Sequence, residues 1–253
     1  MNKDILKSVW ETEENASFQG WDFSRLNGRW QEESLSWDYK SIVQMYLKPD
    51  MRLLDMGTGG GECLLTLGHP YTNTFATEGW EPNFLLCKEK LEPLGITVKR
   101  VYEDDQLPYE SNFFDIVINR HESYDLSEVR RVLKPNGLII TQQVGGGNNF
   151  DLSSRLIDGY TPSHPDIYLK KQVQLFESFD FRIEYQKEEF PKLRFYDTGA
   201  IVYYAKIVPW EFPGFTVSSC MEKLLDMHSE LQKHGYFECL QQRFILVATN
   251  SGN

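Results

Sequence analysis

The chain has 253 residues, of which 41% are hydrophobic and 25% charged, and it carries a formal net charge of −11. That length buries one large core or a core with a cap, and no apolar run approaches the roughly 18 residues needed to span a bilayer. The acidic balance repels a phosphate backbone, which disfavours a nucleic-acid partner, and it suits a cationic ligand.

The N-terminus turns acidic within its first fifteen residues and lacks an apolar h-region with a small-residue cleavage site. No secretory leader is expected, and the cytoplasm is the expected compartment. Residues 1 to about 50 scatter Trp10, Trp21, Trp30 and Trp37 through polar sequence and predict short helices. The last covers 39–47, where Ile42, Val43, Tyr46 and Leu47 fall at helical spacing before Pro49-Asp50 stops it.

From Met51 the pattern becomes strand, loop, helix, repeated. Short apolar strands are predicted at 52–56, 74–77, 96–101, 114–118 and 138–141, with helices at 83–91 and 126–133. Such alternation means a mostly parallel sheet covered on both faces, a doubly wound α/β domain. Gly145 to Asn149 reads as a flexible exit from the fifth strand. Beyond it come helices at 169–179, 198–207 and 222–233 and strands at 181–188 and 244–248, for seven strands in all. The expected organisation is an N-terminal helical segment over 1–50 and one α/β domain over 51–253, with a cap inserted at about 190–238. Cys63, Cys87, Cys220 and Cys239 are far apart, with no Cys-x-x-Cys and no histidine at zinc-ligand spacing, and read as core thiols with no metal site.

The first strand runs into Asp55-Met-Gly57-Thr58-Gly59-Gly-Gly61. Tight turns with positive φ and close backbone approach to a ligand both call for glycine. A dinucleotide fingerprint would place a third glycine at position 62 for a pyrophosphate. Glu62 stands there instead, and Asp55 adds a second carboxylate, so the turn suits a cation or amine. S-adenosylmethionine (SAM) offers an ammonium, a sulfonium and an uncharged nucleoside. Glu78 ends the second strand, about 20 residues on, where a carboxylate can accept both ribose hydroxyls. Gly79 and Trp80 follow, and the indole could lie against adenine. A solvated strand end for Glu78 and a packing anchor for Trp80 stay open.

The loop after the third strand, Glu103-Asp104-Asp-Gln-Leu107-Pro-Tyr, holds acids suited to the adenine amino group. Asn112-Phe-Phe-Asp115-Ile-Val-Ile-Asn119 and Glu128-Val-Arg-Arg-Val-Leu-Lys-Pro135-Asn-Gly137 come next. In order and spacing these five segments, from about Leu53 to Thr141, resemble the successive motifs of class I SAM-dependent methyltransferases of the type 11 kind. The resemblance implies a Rossmann-like methyltransferase fold, with SAM as cofactor and S-adenosylhomocysteine as product. It implies that Asp55, Gly57, Thr58, Gly59 and Gly61 hold the methionine part, Glu78 the ribose, and Gly79, Trp80, Glu103 and Asp104 the adenine. Asn119 would line the methionine side. The family has Asp where Glu103 stands.

After the fourth strand comes the compact Asn119-Arg-His121-Glu122-Ser-Tyr124. If the acceptor must lose a proton, His121 is the candidate base, with Glu122 as its orienter or as the base itself. That both merely hydrogen-bond the N-terminal segment stays open. In this family the N-terminal segment and the end of the sheet line the acceptor pocket, which here implies Tyr39, Gln142, Gln143, Tyr203, Trp210 and Phe215. The aromatic stretch at 210–215 reads either as a lid or as core packing. The expected partner is a small-molecule methyl acceptor. An RNA base, approached by a face containing Arg25, Arg29, Arg120, Arg130, Arg131, Lys134, Lys170 and Lys171, and a non-catalytic SAM-binding module are the alternatives.

Overall fold

The computed structural model describes residues 2–18 and 23–252, so Trp21 lies outside the described residues. The chain divides into two compact units, one of Ser36–Val144, Ile167–Glu188 and Arg243–Asn253, the other of Met1–Leu35, Gly145–Asp166 and Glu189–Gln242.

The first unit holds seven strands: β1 (Leu53–Met56), β2 (Thr74–Glu78), β3 (Thr97–Arg100), β4 (Phe114–Arg120), β5 (Leu133–Val144), β6 (Phe181–Glu189) and β7 (Arg243–Asn250). Their spatial order is β3-β2-β1-β4-β5-β7-β6. Parallel pairing joins β1 to β2 and to β4, β2 to β3 and β4 to β5, while β7 runs antiparallel to β5. β1 is buried along its whole length, and its neighbours Leu53 and Leu54, which point to opposite faces, are both fully inaccessible. A sheet covered on both faces explains the continuous apolar strands, without alternation. The strand order reverses between β1 and β4, and ligands of open α/β sheets bind outside the carboxyl ends at such a switch.

The predicted boundaries move by small steps. Helices run over Tyr39–Tyr46, Glu81–Leu91, Leu126–Val132 and Leu169–Ser178. Asp38 and Asp125 cap the first and third through the amides of Ser41 and Glu128. The strand expected at 138–141 is the regular part of a longer β5. Its pairing jumps from Phe114↔Leu133 to Ile116↔Leu138, so Lys134 to Gly137 stand out of register.

The second unit differs from the expectation of a helical segment plus an inserted cap. It builds its own antiparallel sheet from Trp30–Glu32, Lys192–Phe195 and Phe237–Leu240, with Lys192–Phe195 central. The helices Lys3–Glu14, Phe150–Leu156, Thr198–Ile207 and Met221–His234 share its core, around Trp10, Leu26, Phe195, Tyr203 and Phe212. Arg29 binds Asp197 Oδ1 at 2.6 Å and Glu13 Oε1 at 3.1 Å, joining segments far apart in sequence. The boundary expected at residue 50 falls at 35, because 36–50 folds with the seven-stranded sheet. Nor is Gly145 to Asn149 a loose exit. Gly145 N and Gly147 N bond to Gln242, and the side-chain amides of Asn148 and Asn149 both bond to buried Glu211 at 2.6 Å. Those partners lie more than 60 residues away, where no local pattern shows them. Among the described residues no helix is long and apolar enough to cross a membrane.

Leu54 sits at the centre of the sheet that presents the glycine turn. Leu54→Ala is expected to cost about 2–5 kcal/mol of stability, read as a lowered midpoint in urea unfolding.

Candidate functional site

β1 ends in Asp55-Met56, and the chain then turns through Gly57, Gly59 and Gly61 at φ of 67°, 61° and 80°, a left-handed run closed to most side chains. Gly57 N and Thr58 N bond to Thr77 O at the end of β2, at 3.0 and 3.1 Å. Gly61 is the N-cap of the short helix Glu62–Leu65. Gly57 also needs to be glycine for room, since a Cβ there would fall 2.4 Å from Glu122 Cγ. The Glu122 side chain therefore lies directly on the turn.

Glu78 is buried, and its two carboxylate oxygens accept from Gly59 N at 2.8 Å and Trp80 N at 3.0 Å. One side chain thus joins the turn after β1 to the turn after β2. Each of its oxygens keeps a further lone pair. Asp55 is buried as well, and loss of water pushes its pKa up to about 7, with Glu78 adding to the rise. The Thr58 hydroxyl and Arg120 pull the other way. Trp80 is exposed at the head of the helix Glu81–Leu91, while Glu103 and Asp104 are exposed on the loop after β3. Glu128 and Arg131, an ion pair on the helix Leu126–Val132, clamp that loop. Glu128 accepts from Leu107 N at 2.8 Å, and Arg131 donates to the carbonyls of Leu107 and Tyr109.

The end of β4 adds a polar layer. Asn119 is fully buried, receiving Thr141 Oγ1 at 3.2 Å and Gln143 Nε2 on its Oδ1, and its carbonyl accepts from Tyr39 Oη at 3.2 Å. Gln143 Nε2 also bonds to Glu122 O at 2.9 Å, which fixes the backbone beneath that side chain. Gln142 Oε1 accepts from Trp37 Nε1 at 2.8 Å, and Gln142 Nε2 lies 3.3 Å from His121 Nε2. His121 and Glu122 are exposed by accessible surface, yet protein atoms crowd both side chains and displace part of their water. That crowding, with Arg243 and Arg120 nearby, drives the His121 pKa down to about 3. Burial, with the charges of Glu78 and Asp104, raises Glu122 to about 7.

Asp55, Glu78, Asp104 and Glu122 therefore surround one glycine turn at the carboxyl ends of parallel strands. This set of acceptors repels phosphate and fits a cationic group. The turn and strands that carry it, residues 54–141, match the model of a family described as methyltransferase domain. This stretch of the chain, about a third of its length, resembles a methyltransferase domain. Over 116 residues it is 25% identical to a ubiquinone/menaquinone biosynthesis C-methyltransferase of Burkholderia vietnamiensis, a match that covers 42% of this chain and 48% of the relative. The chain thus spans about half the length of the curated relatives it matches. In fold it is similar to a methyltransferase structure from Bacillus halodurans (TM-score 0.55, 17% identity, 85% of this chain and 99% of that one). It is also similar to a geranyl diphosphate methyltransferase in complex with its substrate and sinefungin (TM-score 0.50, 12% identity, 83% and 76%).

In the first unit hydrogen bonds join Gly57, Thr58, Gly59, Glu78 and Trp80, while Glu103 and Asp104 stay exposed on the loop after β3; Tyr39, Gln142, Gln143 and the residues His121 and Glu122 gather around the end of β4. The other three acceptor candidates lie in the second unit. There Tyr203 is buried, Phe215 packs against the core and Trp210 is half-exposed. In the sequence Arg120 marks only part of a basic face. Its guanidinium reaches half-buried Cys63, with Nη1 3.6 Å from Sγ, and influences Asp55. Trp37 drew no role from the sequence, because its bond to Gln142 spans 105 residues. Five of the other basic candidates are paired: Arg25 with Glu13, Arg29 with Asp197, Arg130 with Asp180, Arg131 with Glu128 and Lys134 with Asp115.

Two variants check this geometry. Gly57→Ala, at positive φ and against Glu122, is expected to lose about 1–3 kcal/mol of stability in urea unfolding. Asp55→Asn is expected to melt above the wild type near about pH 8, because the native protein favours the neutral carboxyl while the unfolded chain ionises; the gain should shrink as the pH falls below about 7 and vanish only below the ordinary carboxylate range, at about pH 4 or less. Thermal melts of both proteins across that range provide the measurement.

Proposed function

We propose that the chain transfers the methyl group of SAM to a small-molecule acceptor by in-line displacement and releases S-adenosylhomocysteine. The observation that carries this reading is the pair of buried carboxylates, Asp55 and Glu78, on either side of the glycine turn. A phosphate-bearing cofactor would meet repulsion there, whereas an ammonium and a sulfonium would offset the buried charge. In this reading Gly57, Thr58, Gly59 and Gly61 lie beneath the methionine part, Asp55 holds its ammonium and Arg120 its carboxylate. Glu78 offers its remaining lone pairs to the ribose hydroxyls. Gly79 and Trp80 face the adenine ring, Glu103 and Asp104 its edge, and Asn119 fixes the strand ends beneath. When bound, SAM supplies an electrophilic methyl on a sulfonium.

The chain's own contribution is to hold an acceptor atom in line, at roughly 3–3.5 Å, and to receive a proton where the acceptor must lose one. With a pKa near 3, His121 accepts protons poorly at neutral pH, and its Nε2 faces the Gln142 amide. Glu122, raised to about 7 and lying on the turn, is matched to that task, so we assign it the base role. Tyr39, Gln142 and Gln143 shape the acceptor side of the domain. The printed names of the relatives, one a ubiquinone/menaquinone biosynthesis C-methyltransferase and one a geranyl diphosphate methyltransferase, support a small-molecule acceptor. The pairing of most surface arginines argues against an RNA-binding rim. Four free cysteines suit a reducing compartment such as the cytoplasm.

Titration calorimetry tests the reading. SAM should bind, and Glu78→Ala should weaken binding about 10- to 100-fold through two lost charge-assisted hydrogen bonds per carboxylate. Because Asp55 and Glu122 titrate near 7, and only their ionised forms attract the cation, affinity should rise with pH up to about 7, by at most about tenfold per unit for each group. Binding below that pH should release protons, visible as a dependence on the buffer's ionisation heat. No binding, or affinity flat across this range, would sink the proposal.

A further inference from the structure

His121 stands out twice. It is a non-glycine residue at φ 66°, a conformation that costs free energy and persists only where the surroundings impose it. Its amide donates to Gln142 O at 2.9 Å, which holds the backbone in that shape. Its ring also ends a directional chain of hydrogen bonds. An indole nitrogen can only donate, so the atom of Gln142 that faces Trp37 Nε1 at 2.8 Å must be the amide oxygen. The amide nitrogen, a donor, therefore faces His121 Nε2 at 3.3 Å. Nε2 must accept, and a neutral imidazole that accepts at Nε2 carries its proton on Nδ1.

Among the described residues no protein acceptor meets Nδ1. Two cationic side chains, Arg243 at the start of β7 and Arg120 at the end of β4, act on the ring through their charge and disfavour its protonation. Arg243 has partners of its own and enters here only through its charge. Glu122, next in sequence, turns its side chain to Gly57. A donor N–H set in positive potential is a receptor for an anion.

We propose that the Trp37–Gln142 relay locks His121 as the Nδ1–H tautomer and that this N–H, in the field of Arg120 and Arg243, receives an anionic oxygen of the methyl acceptor, a carboxylate or a phenolate. The naming of this ligand as the acceptor rests on the methyltransferase reading; the tautomer and the anion site do not. His121 then orients the acceptor, Glu122 remains the proton-accepting group, and the acidic cradle and the anion donor face the two substrates with opposite charge. An amine acceptor without an acidic group would be excluded by the same field.

Long-range nitrogen–proton NMR on the full chain reads the tautomer, with His121 assigned from the spectrum of His121→Asn. The wild type should show a protonated Nδ1 and an unprotonated Nε2, unchanged from about pH 5 to 8. Gln142→Leu should move the population toward Nε2–H. Benzoate and 4-nitrophenolate, titrated separately without and then with S-adenosylhomocysteine, should shift the Nδ1–H signal, and whichever binds more tightly distinguishes carboxylate from phenolate. His121→Asn, which tolerates positive φ and keeps an N–H donor, should retain anion binding, whereas His121→Asp, which also tolerates positive φ but only accepts, should lose it. An Nε2–H tautomer, titration of the ring within this range, a shift with benzylamine in place of either anion, or no shift with either anion would overturn the proposal. SAM titration on the same samples separates the outcomes: a locked tautomer and bound anion without SAM binding would refute the methyltransferase reading and leave the anion site standing.

Discussion

Buried negative charge beside the glycine turn is the constraint on which the rest of the site depends. Glu78 accepts from the turn after β1 and from the turn after β2, so one carboxylate sets the spacing of two loops that come from different strands. Asp55 and Glu122 lie close enough to feel it, and both are pushed toward neutrality. Such an arrangement costs stability in the protein alone, and a bound cation would offset that cost. Function and strain therefore share one cause, as expected where a site is prepared for a ligand of opposite charge.

The sheet supplies the geometry that makes this possible. Parallel strands β2, β1 and β4 bring three carboxyl ends side by side, and the reversal of strand order between β1 and β4 leaves room above them. Away from the turn, the acidic and basic motif residues act as fasteners. Glu128 and Arg131, prominent in sequence, clamp the loop that carries Glu103 and Asp104, and Lys134 pairs with Asp115. Their role is to hold loop backbone, and their charges are spent within the domain.

Two neighbours, His121 and Glu122, illustrate how environment divides chemistry between adjacent residues. Both are crowded, and loss of water disfavours the charged form of each, which lowers the imidazole and raises the carboxyl; nearby cations add to the first shift and nearby carboxylates to the second. The result is a neutral donor beside a carboxyl poised near neutrality. Neither position in the chain nor residue type distinguishes these roles, since the histidine is ordinarily the better base.

The sequence by itself determined the seven strands of the α/β sheet, the glycine turn and the carboxylates at positions 55, 78, 103 and 104. Each of these rests on local signals: apolar runs in buried parallel strands, glycines at positive φ, and acids at fixed distances after strand ends. Tertiary structure alone decided that residues 1–35, 145–166 and 189–242 form a second unit, that Asn148 and Asn149 anchor on Glu211, and that Trp37 reaches Gln142. It also decided that His121 is held neutral while Glu122 overlies Gly57. These outcomes depend on partners tens to hundreds of residues apart and on burial, and neither leaves a periodic mark on the chain.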